Sequence, residues 1–249
     1  MAIVRHLDNA PITEAIIDIR AKIPSKFQVE SFLNLKKTIG DRFPKIEDRK
    51  LFSSEFGIKE GRIQPPSSRD HGVHGYFFRS EAEPKIVQFR VDGFTFSLLK
   101  PYTNWEVMVS EARELWGYYR DIAQPEATNR LAVRYINHIN IPLPVDELSL
   151  YFTAPPRIPE GVNGAIAGFL SKVIVYDQGL DIATNIVQAL EKSTRPEKHI
   201  TIILDVDSFK MGDFNVSSDD KWDVFETLHT VKNQVFFNSI TEKTARLFE

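Results

Sequence analysis

The feature that most constrains this chain is that it resembles itself. Lys22-Ile23-Pro24 closes one alternating segment, and Asn140-Ile141-Pro142 closes another 118 residues later. The next apolar anchors, Phe27 and Phe32, fall opposite Val145 and Leu150 at the same offset, and Trp105-Glu106-Val107 and Trp222-Asp223-Val224 open two further segments 117 residues apart. Distant anchors that agree within one residue point to a duplicated unit, and self-similarity outranks local propensity when a fold is inferred. The expected units are residues 1–125 and 126–249, joined in one continuous sheet.

Within each unit the hydrophobic period names the elements. Ala15, Ile17, Ile19, Ala21 and Ile23 alternate with polar residues, a strand period. Ser25 and Gln28 form a capping-box pattern ahead of Val29, Phe32, Leu33 and Ile39, which predicts a helix of about four turns ending at Gly40. Phe52, Phe56 and Ile58 mark a strand, and the Pro-, Ser- and Gly-bearing stretch from Gln64 to Gly75 reads as a loop. Strands follow at 76–79, 85–91 and 94–99, the last two flanking an Asp92-Gly93 hairpin turn. From the N-cap Asn104, Trp105, Met108, Val109, Ala112, Leu115, Trp116 and Tyr119 lie on one helical stripe. Arg130 to Ile141 alternates again, 166–176 reads as a strand, and 180–191 fits both periods, with strand favoured. A strand from His199 to Asp207 and a helix starting near Ser218 or Asp219 complete the order.

Strand, helix, several hairpin-linked strands and a long helix, twice over, predict an α+β fold: tandem β-α-β(3-4)-α repeats forming a curved antiparallel sheet with helices on one face. That order resembles the TATA-binding-protein-like arrangement, and the likeness implies nothing about DNA. It places the two leading strands side by side at the repeat junction. Glu14, Asp18 and Arg20 would there meet Arg134, His138 and Asn140 on the non-core face.

Composition narrows the function classes. There is no cysteine, which excludes disulfides, thiolate metal ligands and thiol catalysis and fits a reducing cytoplasm. The formal charge is -3, so no whole-chain basic field exists for a nucleic-acid backbone. The first residues lack the pattern of a signal peptide and no apolar run is long enough for a membrane span. A cytoplasmic protein with no membrane association is expected.

Pro11-Ile12-x-Glu14-Ala15 with Arg20, then Arg134-Tyr135-Ile136-Asn137, Asp205-x-Asp207 and Ile240-Thr241-Glu242-Lys243 together resemble a sporadically distributed prokaryotic family of uncharacterised proteins of about this length. The match spans nearly the whole chain. It implies a prokaryotic cytosolic protein and brings no activity, cofactor or partner with it.

The sharpest candidate site is Glu14, Arg20, Arg134 and His138, a set able to bind a phosphate or carboxylate or to move a proton. The competing expectation is that these side chains pair across strands and only satisfy a polar sheet face. Asp205-x-Asp207 and His71-x-x-His74 carry metal-ligand spacing without enough further ligands, so no metal or cofactor is expected. Nucleophile elbows and phosphate loops are absent. The expected function is a binding or interaction protein whose concave sheet face or repeat junction takes a protein partner or a small anionic ligand. The alternative is a hydrolase or nuclease-like enzyme using the junction charges. Nucleic acid is disfavoured by net charge unless Lys22, Arg20, Arg130 and Arg134 form one free basic strip.

Overall fold

A computed structural model describes residues 1–55, 58–59, 62–63, 67–191 and 198–249. Alternation dominates the chain and builds one sheet. Strands β1 (Ile12–Lys22), β2 (Lys45–Glu55), β5 (Ser67–Arg79), β6 (Lys85–Arg90), β7 (Gly93–Leu99), β8 (Ala127–Pro142), β9 (Leu170–Asp177), β10 (Ile182–Leu190) and β11 (His199–Phe214) assemble in the order β2-β5-β6-β7-β1-β8-β11-β10-β9. Every pairing is antiparallel. The short strands β3 (Ile58–Lys59) and β4 (Arg62–Ile63) pair only with each other. The fold is α+β, and β1 and β8 meet at the centre of the sheet.

Among the described residues four α-helices accompany it: α1 (Lys36–Ile39), α2 (Trp105–Ala123), α3 (Asp220–Ser239) and α4 (Glu242–Ala245). Ala15, Ile17 and Ile19 of β1, Phe94 and Phe96 of β7, and Leu131, Val133 and Tyr135 of β8 are buried against Met108, Leu115 and Trp116 of α2 and Phe225 and Leu228 of α3. Ile139 and Ile141, with Ile202, Leu204 and Val206 of β11, continue this apolar face beneath Phe236 and Phe237. The alternate residues of the same strands form the opposite, open face.

Asn104 caps α2 as expected, its Oδ1 accepting from the Val107 amide at 2.8 Å. Residues 182–190 are a strand, which resolves the ambiguous segment. Three expectations are corrected. The helix expected from Ser25 is a 3-10 turn over Val29–Leu35 followed by the single turn of α1, with no side-chain cap; Phe32, Leu35 and Ile39 bury themselves without a long helix. The loop expected over 64–75 is strand from Ser67 onward, where register shifts against β2 absorb the Gly-rich sequence. Residues 64–66 lie outside the described residues. The hairpin forms one residue early, with Val91 and Asp92 in the turn and Gly93 as the first residue of β7. Gly93 alone there takes positive φ, at 144°, and a Cβ would sit 2.2 Å from the Ile19 carbonyl oxygen.

Candidate functional site

The open face carries a row of arginines. Register places Arg49 of β2 opposite Gly75, Gly75 opposite Arg90, Arg90 opposite Gly93, Gly93 opposite Arg20, and Arg20 opposite Arg130. Directly opposed residues of antiparallel strands share a face, so four arginines from four strands line up, with glycines in the two intervening strands.

Carboxylates one step away hold this row together. Asp18, 9% exposed, accepts from Arg90 Nη2 at 2.9 Å and from the Thr95 hydroxyl at 2.8 Å through Oδ2. Its Oδ1 lies 3.2 Å from Arg130 Nη1 and 3.3 Å from Arg20 Nε. Burial raises the Asp18 carboxyl, but the charges of Arg90 and Arg20 and the hydrogen bonds from Thr95 and Arg90 outweigh it and hold the group below its ordinary value. Asp92 in the hairpin turn binds Arg20, faces Arg90 Nε at 3.1 Å and lies 3.4 Å from His74 Nε2. Arg130 donates to both oxygens of Asp207, at 3.0 and 3.2 Å, and its guanidinium covers the Phe209 ring. Arg134 forms a separate two-point pair with Asp205, at 2.8 and 2.6 Å, which raises its guanidinium above the ordinary value.

Arg49 differs from the others: among the described residues no hydrogen bond or ion pair engages its guanidinium. Burial, then the nearby Arg90 and Arg20 charges, push it down, against Asp92 and Asp18. Among the described residues the cluster therefore holds four arginines against Asp18, Asp92 and Asp207, leaving one cation uncompensated at the β2–β5 end.

The four residues singled out from sequence are divided by this arrangement. Arg20 belongs to the row, bound to Asp18 and Asp92. Glu14 stands opposite Ile136, one open-face step from both Arg134 and His138, and adds to the charge felt by Arg134. His138 lies further along β8 with its Nδ1 3.5 Å from Glu191. Arg20 is separated from Glu14 by Asp18 and Ile16, so the set occupies two neighbourhoods of one face. The strip of Lys22, Arg20, Arg130 and Arg134 is compensated, because Lys22 also pairs, with Glu126 at 3.1 Å. His71 turns to Ser53 at 2.7 Å while His74 faces Asp92, so they do not converge, and among the described residues no group of three metal-ligating side chains forms.

Sequence reasoning missed Arg49, Arg90 and Asp92. Asp92 belongs to the hairpin turn it identified and Arg90 adjoins it, and continuing the alternation through Ile86, Gln88 and Arg90 places Arg90 on the open face. Arg49 had no such signal, since Lys45-Ile46-Glu47-Asp48-Arg49 shows no strand period. Two surface grooves, of about 870 and 670 Å³, lie elsewhere, and none of Glu14, Arg20, Arg134 and His138 lines them. No described helix is long and apolar enough to cross a membrane. Comparison with protein-family models, with curated proteins and with solved structures found no match for this chain.

Proposed function

We propose that this protein is a binding module whose open sheet face receives a partner bearing a carboxylate or phosphate group, seated at the β2–β5 end of the arginine row. The observation that carries this reading is Arg49: a half-buried guanidinium with no carboxylate partner among the described residues, beside Arg20 and Arg90, which are already oriented by Asp18 and Asp92. An arriving anion restores charge balance without disturbing the existing pairs, and a planar fork suits either acid. On the same face Phe77, one open-face step along β5 from Gly75, supplies partly exposed apolar contact beside Arg49. A second part of the proposal is architectural: residues 1–125 and 126–249 descend from one duplicated unit. In support, each half puts its first strand at the centre and its last long strand beside it, β7 next to β1 and β11 next to β8.

The test is titration of the isotope-labelled protein with a glutamate-rich peptide and, separately, with inorganic phosphate. Chemical-shift changes should concentrate at Arg49, His74 and Arg20, and Arg49→Glu should weaken binding by about tenfold or more, the loss of one charge-assisted pair. Shifts spread evenly over surface cations, or an unchanged affinity in Arg49→Glu, would refute the reading.

A further inference from the structure

The far end of the sheet carries a second surface, independent of the arginine row. All eight residues of β9 are exposed. Leu170, Ile174 and Tyr176, at 76%, 61% and 57%, lie on the open side, and Val173 and Val175, at 53% and 49%, lie on the helix side with no helix beneath them among the described residues. The strand is nevertheless regular: it pairs with β10 at eight successive positions without a register shift. Its outer backbone amides and carbonyls thus form an ordered row whose best-matched occupant is another strand.

The opposite edge shows how this sheet ends where it is meant to end. Strand β2 carries Lys45, Glu47, Asp48, Arg49 and Lys50 and breaks register at two places against β5. Charge and bulges of this kind discourage edge pairing. Strand β9 has neither device: its sequence LSKVIVYD holds one interior charge, Lys172, with no proline and no bulge.

We propose that β9 is a dimerisation edge, pairing antiparallel with β9 of a second copy about a two-fold axis through Ile174. A strand set antiparallel to its own copy is self-complementary by construction. Centring on Ile174 puts Val173 opposite Val175 of the second copy and Lys172 opposite its Tyr176. The Tyr176 hydroxyl donates to Asp181 Oδ1 at 2.6 Å, so each lysine meets an aromatic ring backed by a carboxylate, twice per dimer, and no like charges face one another. This charge match selects a second copy over an unrelated strand. An interface built mainly on one eight-residue edge is small, so assembly is expected to depend on concentration.

Sedimentation of the full-length protein across the micromolar range should show a reversible monomer–dimer equilibrium. Ile174→Lys, which faces itself across the axis, should weaken it by about tenfold or more while leaving the melting temperature of the dilute, monomeric protein unchanged. The chain has no cysteine, so Val173→Cys, Ile174→Cys and Val175→Cys can be oxidised one at a time. The Ile174 variant should give the most covalent dimer, because only there do the two sulfurs oppose each other within disulfide reach. Amides of β9 in the unmodified protein should gain exchange protection as concentration rises, a readout that does not depend on any variant folding. A wild type that stays monomeric overturns the proposal, including one whose β9 is protected only by an added unrelated strand peptide. So does a dimer that survives Ile174→Lys and is not trapped by any of the three cysteines.

Discussion

At the scale of the residue, Asp18 organises the open face. One carboxylate holds the buried Arg90 and the partly exposed Arg20 and Arg130, and its removal sets three guanidiniums against one another with one anion fewer. Asp18→Asn should cost about 1–3 kcal/mol in chemical denaturation: buried Arg90 loses the carboxylate that accepts its hydrogen bond, while Arg20 keeps Asp92 and Arg130 keeps Asp207. Arg49→Ala should stay within about 0.5 kcal/mol, since it breaks no ion pair. His229 gives a pH prediction. Its ring stacks on Trp105 with centroids 4.2 Å apart, and burial, then the Lys232 charge, push its pKa from 6.5 down to about 3. Between these values the unfolded chain binds the extra proton, so stability present above pH 6.5 is lost progressively as pH falls toward 3. With allowance for its partial exposure the loss by pH 4 is about 2 kcal/mol, and His229→Gln should flatten that part of the stability–pH curve. Lys232, fully buried with its ammonium nitrogen 3.3 Å from the Tyr135 ring centroid, is pushed far down by burial. Lys232→Met should raise the denaturation midpoint at neutral pH, the opposite sign from most core substitutions.

At the scale of the element, legibility tracked how far each segment depends on distant parts of the chain. Helix α2 announced itself because a cap and an apolar stripe agree locally; its Trp105 packs in the core and also donates to Glu226 Oε2 of α3 at 2.8 Å. Trp105→Ala should cost about 3–5 kcal/mol in thermal or denaturant melts, combining lost burial with a cavity. The segment 25–40 misled because amphipathic spacing serves a 3-10 turn about as well as an α-helix when only Phe32, Leu35 and Ile39 need cover. The 67–75 stretch misled for the converse reason: glycines and serines suit loops until a neighbouring strand supplies a bulged ladder for them. Gly93→Ala tests the hairpin, where both the φ of 144° and the approach to Ile19 exclude a side chain; a loss of about 2 kcal/mol or more is expected from circular-dichroism melts.

At the scale of the whole molecule, one core spans both halves. Strand β1 shares its apolar cluster with Leu131, Val133, Tyr135, Phe225 and Leu228 from beyond residue 126. The chain ends are tied as well: Arg5 pairs with Glu242 and Glu249, Thr241 caps α4 and donates to the Leu150 carbonyl, and Ile240 is fully buried. The Ile240-Thr241-Glu242-Lys243 motif is thus accounted for as a staple, while Arg20, Arg134, Asp205 and Asp207 all stand on the open face, Arg134 paired with Asp205 and Arg20 with Asp18 and Asp92. Unfolding should be a single transition, with tryptophan fluorescence and far-ultraviolet circular dichroism coincident; two separated steps would mean that the halves fold independently.

Amino-acid order alone was enough to set which residues alternate, and hence which face of β1, β8 and β11 is apolar, because a period of two is a local property of the chain. It was also enough to cap α2 and to place Arg20 opposite the core. Which strands lie side by side is a different matter, since register joins residues such as Asp18, Arg90 and Arg130 that are far apart in the chain. Only the assembled sheet could decide that Arg134 is taken by Asp205 and Arg20 by Asp18 and Asp92, that Arg49 has no counterion among the described residues, and that β9 ends the sheet with its side chains exposed on both faces. Charge compensation depends on distances through space, and those exist only once the sheet has closed its hydrogen bonds.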